Sequence, residues 1–181
     1  TTDIALLEGG KPCLSREGAD VGGWRTRVSA VNAYTFGLGG DSNIHYDPEN
    51  GALKVGPRRC WPVSMIATRY PYYKDELLRR KRKPIGLASF GQADGLILLR
   101  VPSQSIELSH WQKEIINALS DGPHTVVDIG HRIGLDPNFF NIDKLVEYGI
   151  LGLVGFTPSD ILCAQGVYPV GDRDAAQVAA F

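Results

Sequence analysis

No stretch of this 181-residue chain stays apolar for anything near the ~18 residues needed to span a bilayer as a helix, so no membrane partner is expected. Cysteine is scarce. Cys13, Cys60 and Cys163 stand far apart, odd in number and without C-x-x-C spacing. That argues against a disulfide framework or a zinc ribbon and predicts buried, reduced thiols in a cytoplasmic protein. His45, His110, His124 and His131 lack H-E-x-x-H spacing, which argues against a metal site built from His and Cys. Neither sign of charge is in excess: the net charge is -1, so no global field draws the chain to nucleic acid or membrane. The start has no basic leader followed by a long apolar run. It opens on Thr rather than Met, which points to a true beginning further upstream. Repeats and low-complexity tracts are absent. What is present is 43% hydrophobic and 22% charged residues, an ordinary globular mixture able to bury one good core or two small ones.

Residues 1 to about 60 read as β-rich. Ile4 to Leu7 is a short apolar strand ending in the turn Glu8-Gly9-Gly10-Lys11-Pro12, with a return strand from Pro12 to Ser15. Alternation from Arg25 to Val31 predicts a strand with one wet face. Ala33 to Phe36 predicts another. Ile44–Tyr46 and Ala52–Val55 flank Asp47-Pro48-Glu49-Asn50-Gly51 and should pair as a hairpin. Pro57, Pro62 and Pro71 bound irregular segments. Tyr72 to Lys83 predicts a helix ending in the basic run Arg79 to Lys83, stopped by Pro84; cations there suit the helix C-terminus and a solvated surface. Gly95 to Val101 predicts a buried strand. Helices are then expected from Ser109 to near Ser120, Thr125 to Ile133, Asp136 to Tyr148, Thr157 to Gln165 and Asp172 to Ala180, with a strand at Ile150–Val154.

Two segments carry the chemistry. Gly37-Leu38-Gly39-Gly40-Asp41-Ser42 is a glycine loop after a strand. Without Cβ atoms, successive backbone N–H groups can face one anion. Asp41 suits a metal-bound water or a substrate hydroxyl, and Ser42 a phosphate. Thr1-Thr2-Asp3 places hydroxyls and a carboxylate at the head of a strand, suited to phosphate oxygens and to Mg²⁺ held through water. Two rival readings stand beside this. Thr1 as an N-terminal nucleophile, with its own amine as base, would make a hydrolase subunit. The helices of residues 109 to 154 resemble a winged-helix module, but the third carries Asp136, Asp143 and Glu147 against Lys144 alone. A DNA-reading helix needs cations, so no DNA partner is expected and an interaction role is the alternative.

Thr1-Thr2-Asp3-Ile4-Ala5-Leu6 resembles the tail of the Gly-Gly-Thr-Thr/Ser-Thr-Asp motif of the hydantoinase/oxoprolinase family, A-type subunit. Thr35 to Ser42, Gly51 to Pro57, and Gly155-Phe156-Thr157-Pro158-Ser159-Asp160 resemble later motifs of that family, in the same order. The family more often has glycine where Asp41 stands and histidine where Cys163 stands. The resemblance implies part of an actin-like (ribonuclease H-like) α/β domain, with a β-rich portion at 1–105 and a helical subdomain at 106–181. It implies ATP and Mg²⁺ as cofactors and a cyclic amide as substrate, opened after phosphorylation of the amide oxygen. Thr1, Thr2, Asp3, Gly37, Gly39, Gly40, Asp41 and Ser42 would line the nucleotide cleft, with Asp3 toward the metal. The expected partners are an N-terminal part of the same protein and a B-type subunit. A chain cut within its first motif is expected to be inactive alone.

Overall fold

The computed structural model describes residues 2–21, 24–26, 28–47, 49–79, 93–103 and 105–180. The chain divides into two units, residues 1–39 and 40–181. The division expected at residue 105 falls inside the second.

The first unit is made of paired strands. β1 (Thr2–Ala5) pairs antiparallel with β8 (Ala33–Phe36), which begins after a run of shorter strands: β2 (Leu7–Glu8), β3 (Lys11–Pro12), β4 (Leu14–Ser15), β5 (Asp20–Val21), β6 (Trp24–Arg25) and β7 (Ala30–Val31). β2 pairs with β3, β4 with β7 and β5 with β6, all antiparallel. The β2–β3 turn is the Gly9-Gly10 pair, with φ of 57° and 78°. Glycine adopts two such values in succession without strain, which is why the turn was legible; of the strands expected beside it, Ile4 and Ala5 pair instead with β8, and Leu14 and Ser15 with β7. The single strand expected from Arg25 to Val31 is instead two, β6 and β7, with different partners. Thr26 breaks it. Its amide donates to the Ala19 carbonyl at 2.8 Å, and its hydroxyl accepts from the Ala19 amide at 2.9 Å. Gly18 lies against it, where a Cβ would meet the Thr26 carbonyl oxygen.

The second unit opens with a hairpin of β9 (Ser42–Asp47) and β10 (Ala52–Arg59), antiparallel and irregular between Val55 and Arg59. Asp47 sets its turn: the carboxylate accepts from the Glu49 amide at 3.0 Å and pairs with Lys54 at 2.5 Å. Hydrogen bonds from Lys54 and Asn50 hold that carboxyl well below the usual range. β11 (Trp61–Pro62), α1 (Val63–Arg69) and α2 (Tyr72–Arg79) follow. The helix expected to reach Lys83 is described to Arg79; residues 80–83 of the basic run lie outside the described residues. α1 falls where an irregular segment was expected. Its buried Val63, Ile66 and Ala67 recur at i, i+3 and i+4, a helical pattern that the surrounding prolines obscure.

Beyond lie β12 (Gly95–Leu98), α3 (His110–Ala118), β13 (His124–Thr125), α4 (Val126–Ile133), a 3₁₀ turn (Pro137–Phe139), α5 (Asp143–Glu147), β14 (Leu151–Gly155), α6 (Pro158–Ala164) and α7 (Arg173–Ala179). Local chemistry fixes the helix starts: Ser109 with Gln112 and Thr157 with Asp160 form capping boxes, and Thr125 and Asp172 cap α4 and α7. The helix expected over Asp136–Tyr148 is broken into the 3₁₀ turn and α5. The interruption falls at Phe140, which is buried and has extended rather than helical dihedrals, φ -66° and ψ 119°.

One sheet, ordered β11-β14-β12-β13, ties this unit together; β11 runs parallel to β14 and the other pairs are antiparallel. Leu96, Ile115, Ile129, Ile142, Leu145 and Ile150 centre one core, with α3, α4 and α5 around it. Val63, Ile66, Tyr73, Leu77, Val154 and Ala175 form the other. The fold is mixed α/β. Among the described residues, no helix is long and apolar enough to cross a membrane.

Candidate functional site

In the first unit, β1 lies in register against β8: Thr2 opposes Phe36 and Asp3 opposes Thr35. The Thr35 hydroxyl donates to Asp3 Oδ1 at 2.6 Å, and the Thr2 hydroxyl donates to the Leu38 carbonyl at 3.0 Å. Sequence positions more than thirty residues apart thus meet where β8 runs into Gly37-Leu38-Gly39. Thr2 and Asp3 are both exposed. Thr1 lies outside the described residues, so the nucleophile reading has no geometry to draw on.

The other half of the glycine segment belongs to the second unit. The Gly40 carbonyl accepts from the Ser159 amide at 3.0 Å, and a Cβ on Gly40 would stand 2.8 Å from Ser159 Oγ. Gly37, Gly39 and Gly40 are not among the described glycines with positive φ. At Gly40 it is therefore the close approach of Ser159 that favours glycine. Asp41 accepts from the Arg59 guanidinium, at 2.6 Å from Nε and again from Nη2, and its carbonyl accepts from the Cys60 amide at 2.9 Å. The contact with Asp41 raises the Arg59 pKa. Ser42 is buried as the first residue of β9, in register opposite Arg59.

The chain matches no known family, no curated protein and no solved structure.

Two polar side chains with partners far along the chain stand out in the second unit. Arg59 is the partner of Asp41, and only the return of β10 along β9 brings it there. Asp160 is fully buried in α6, yet its carboxylate reaches across to α1, accepting from the Ser64 amide at 2.8 Å and the Val63 amide at 3.3 Å. It also accepts from the Thr157 amide and hydroxyl at 2.9 and 2.8 Å. One side chain thus satisfies donors at the starts of two helices, and it serves structure. Thr157-Pro158-Ser159-Asp160 signalled its own cap from sequence; the reach to α1 left no local trace.

The thiols are free, with Cys60 and Cys163 buried and Cys13 half-buried. Burial, with the nearby Asp160 and Asp41 charges, pushes the Cys60 thiol up to about 12, and burial pushes Cys163 up as well. Such thiols stay protonated and are poor nucleophiles and poor metal ligands. Among the described residues, no three His, Cys, Asp or Glu side chains converge on a common metal position.

Proposed function

We propose that this chain carries the phosphate end of an ATP- and Mg²⁺-dependent site, in an actin-like domain of the hydantoinase/oxoprolinase type that opens cyclic amides. The observation that supports it most is the pairing of β1 with β8, which sets Thr2 and Asp3 beside the strand that feeds the glycine segment. The donor set fits the cofactor. A carboxylate and the hydroxyls of Thr2 and Thr35 are hard oxygen ligands, the kind that hold hydrated Mg²⁺. Asp3 is exposed, and the bond from Thr35 to its Oδ1 orients it.

Bound ATP supplies the phosphoryl group that activates the amide oxygen of the substrate, and Mg²⁺ spreads the charge of that transfer. The chain's own residues position it. Gly37 and Gly39 carry no side chain to hold a phosphate oxygen away from the main chain. Asp3 is the residue that would hold the metal through water, and the bond from Thr35 orients the Asp3 carboxylate. An N-terminal part of the same protein and a B-type subunit are the partners this reading calls for.

The test is a titration of the whole chain with Mg-ATP, followed by backbone amide shifts in a ¹H–¹⁵N spectrum. The exposure of Thr2 and Asp3 leads us to expect weak, millimolar binding, with shifts centred on Thr2, Asp3, Gly37 and Gly39. Asp3→Asn should weaken it about tenfold while leaving Mg-free ATP unaffected. Shifts elsewhere only, or none by about 10 mM, would reject the reading; that concentration corresponds to a binding energy of only about 3 kcal/mol.

A second reading, an interaction module, draws on the packing of α3, α4 and α5 around the core beneath the β13-β12-β14 strands. Asp143 and Glu147 are exposed on α5 beside a single lysine, Lys144. That face should show no DNA binding even at low salt.

A further inference from the structure

Glu76, His124 and Asp121 form a carboxylate–imidazole–carboxylate chain that the proposed nucleotide site does not use. Glu76 comes from α2, His124 from β13, and Asp121 from the turn between α3 and β13. The His124 and Glu76 side chains are 2% and 4% exposed, whereas Asp121 is 59% exposed. His124 Nδ1 lies 2.5 Å from Glu76 Oε1, and Nε2 lies 2.9 Å from Asp121 Oδ1. The second Glu76 oxygen accepts from the Thr125 amide at 2.9 Å.

Every element packed here contributes charge or polarity. From α2, the Tyr72 ring lies over the imidazole, 5.2 Å between centroids, and its hydroxyl donates to the Pro123 carbonyl at 3.0 Å. Burial first, and then Asp121, push the Tyr72 hydroxyl up to about 12, so it holds its proton throughout. From α4, Arg132 pairs with Asp121 at 3.1 Å, and Asp128 pairs with Arg79 of α2 at 3.6 Å. The turn is wedged tightly: Gly122 has φ of 140°, and a Cβ there would lie 2.3 Å from the Tyr72 hydroxyl.

A neutral imidazole carries one N–H, but both ring nitrogens here face carboxylate oxygens. With both carboxylates ionised, both bonds exist together only in the imidazolium. We propose that His124 is a proton-controlled clasp: charged, it holds the Asp121 carboxylate as well as Glu76; on losing the Nε2 proton to water, it keeps Glu76 through Nδ1–H and lets the Asp121 carboxylate go.

The order of release follows from burial. Glu76 is enclosed, and stranding its carboxylate without the imidazole donor would leave a buried acceptor unmet. Asp121 is exposed and retains Arg132 and water. Once Nε2 is bare, its lone pair opposes Asp121 Oδ1, and the exposed partner is the one that moves. Burial by itself pushes the His124 pKa down, but the bonds to Glu76 and Asp121 more than offset it and the net direction is up. The switch therefore lies above the ordinary histidine range.

The test follows the imidazole ¹⁵N signals and the Gly122 amide of the intact chain from about pH 5 to pH 10, a range that brackets any raised histidine value. The expected result is a charged ring at low pH and an Nδ1–H tautomer at high pH, with the Gly122 signal moving along the same titration curve. In Asp121→Asn the amide can donate to bare Nε2, so the turn should stay closed and the Gly122 signal should no longer follow the ring. A neutral ring protonated at Nε2, a ring that keeps one charge state across the range, or a Gly122 signal independent of the ring would each overturn the clasp.

Discussion

Among the described residues, residues 2–39 and residues 40–180 both pair strands, but only the second stretch encloses many apolar side chains. In the first, strands pair in four antiparallel sets, yet Gly18 is the sole buried position among its described residues. Ile4, Leu14, Tyr34 and Phe36 are exposed, and Trp24 is 82% exposed. In the second, Val63, Tyr73, Leu96, Ile115, Ile129 and Ile150 are fully enclosed. Strand pairing exchanges hydrogen bonds to water for hydrogen bonds within the chain, a nearly balanced trade. Burial of apolar area is the term that tips folding, at about 25 cal/mol per Å². Two-stranded ribbons without a covered face are marginal for that reason. The stability of this chain should therefore reside in residues 40–180.

The contrast is broken most directly at Asp160. Asp160→Ala leaves the Val63, Ser64 and Thr157 donors without their buried acceptor, and should lower stability by about 4 kcal/mol in urea unfolding. Next comes Leu96→Ala. Leu96 sits in β12, the strand between β13 and β14, and the cavity left there should cost about 3 kcal/mol by the same measurement. Should either change leave the unfolding midpoint where it was, the core assigned to residues 40–180 would not be the source of stability. Hydrogen exchange sharpens the same point. Amides of β12 and β14 should exchange only through global unfolding, and those of β1 and β8 by smaller openings, at rates at least tenfold faster.

Where local chemistry decided the structure, the sequence disclosed it. The turns at Gly9-Gly10 and Asp47 to Gly51 and the helix starts at Ser109 and Thr157 rest on groups within a few residues, and each was legible. Where distant packing decided it, the sequence misled. The helix expected from Asp136 is interrupted at the buried, extended Phe140, and the strand expected through Arg25–Val31 is divided between β6 and β7, which pair with different distant strands. Of the candidate site, the glycine segment and Thr2-Asp3 were visible as residues. Their meeting through Thr35 and Leu38 required the β1–β8 register, and the Arg59 partner of Asp41 required the return of β10. β12 and β14, on either side of residue 105, share a sheet, so residues 40–181 form one unit across that position.

Acidity separates the regions further. His124 has its pKa raised in the folded chain, so its contribution is fully present below the unfolded value of about 6.5 and is lost as pH rises through the folded value. Asp121, held low mainly by the bond from His124, contributes above an unfolded value of about 3.9 and loses that contribution as pH falls through its depressed value; its exposure keeps this share small. Unfolding of residues 40–180 should thus be hardest between about pH 4 and 6.5, and Asp121→Asn should flatten the fall on the alkaline side. The smallest effect is expected at Trp24. Its ring is the largest apolar side chain on the first unit, and in a packed core its truncation would cost several kcal/mol. At 82% exposure it has little contact area to lose, so Trp24→Ala should shift the unfolding energy by no more than about 0.5 kcal/mol. A loss of 2 kcal/mol or more would mean that Trp24 is covered in solution, and the contrast between an open first unit and an enclosed second would fall with it.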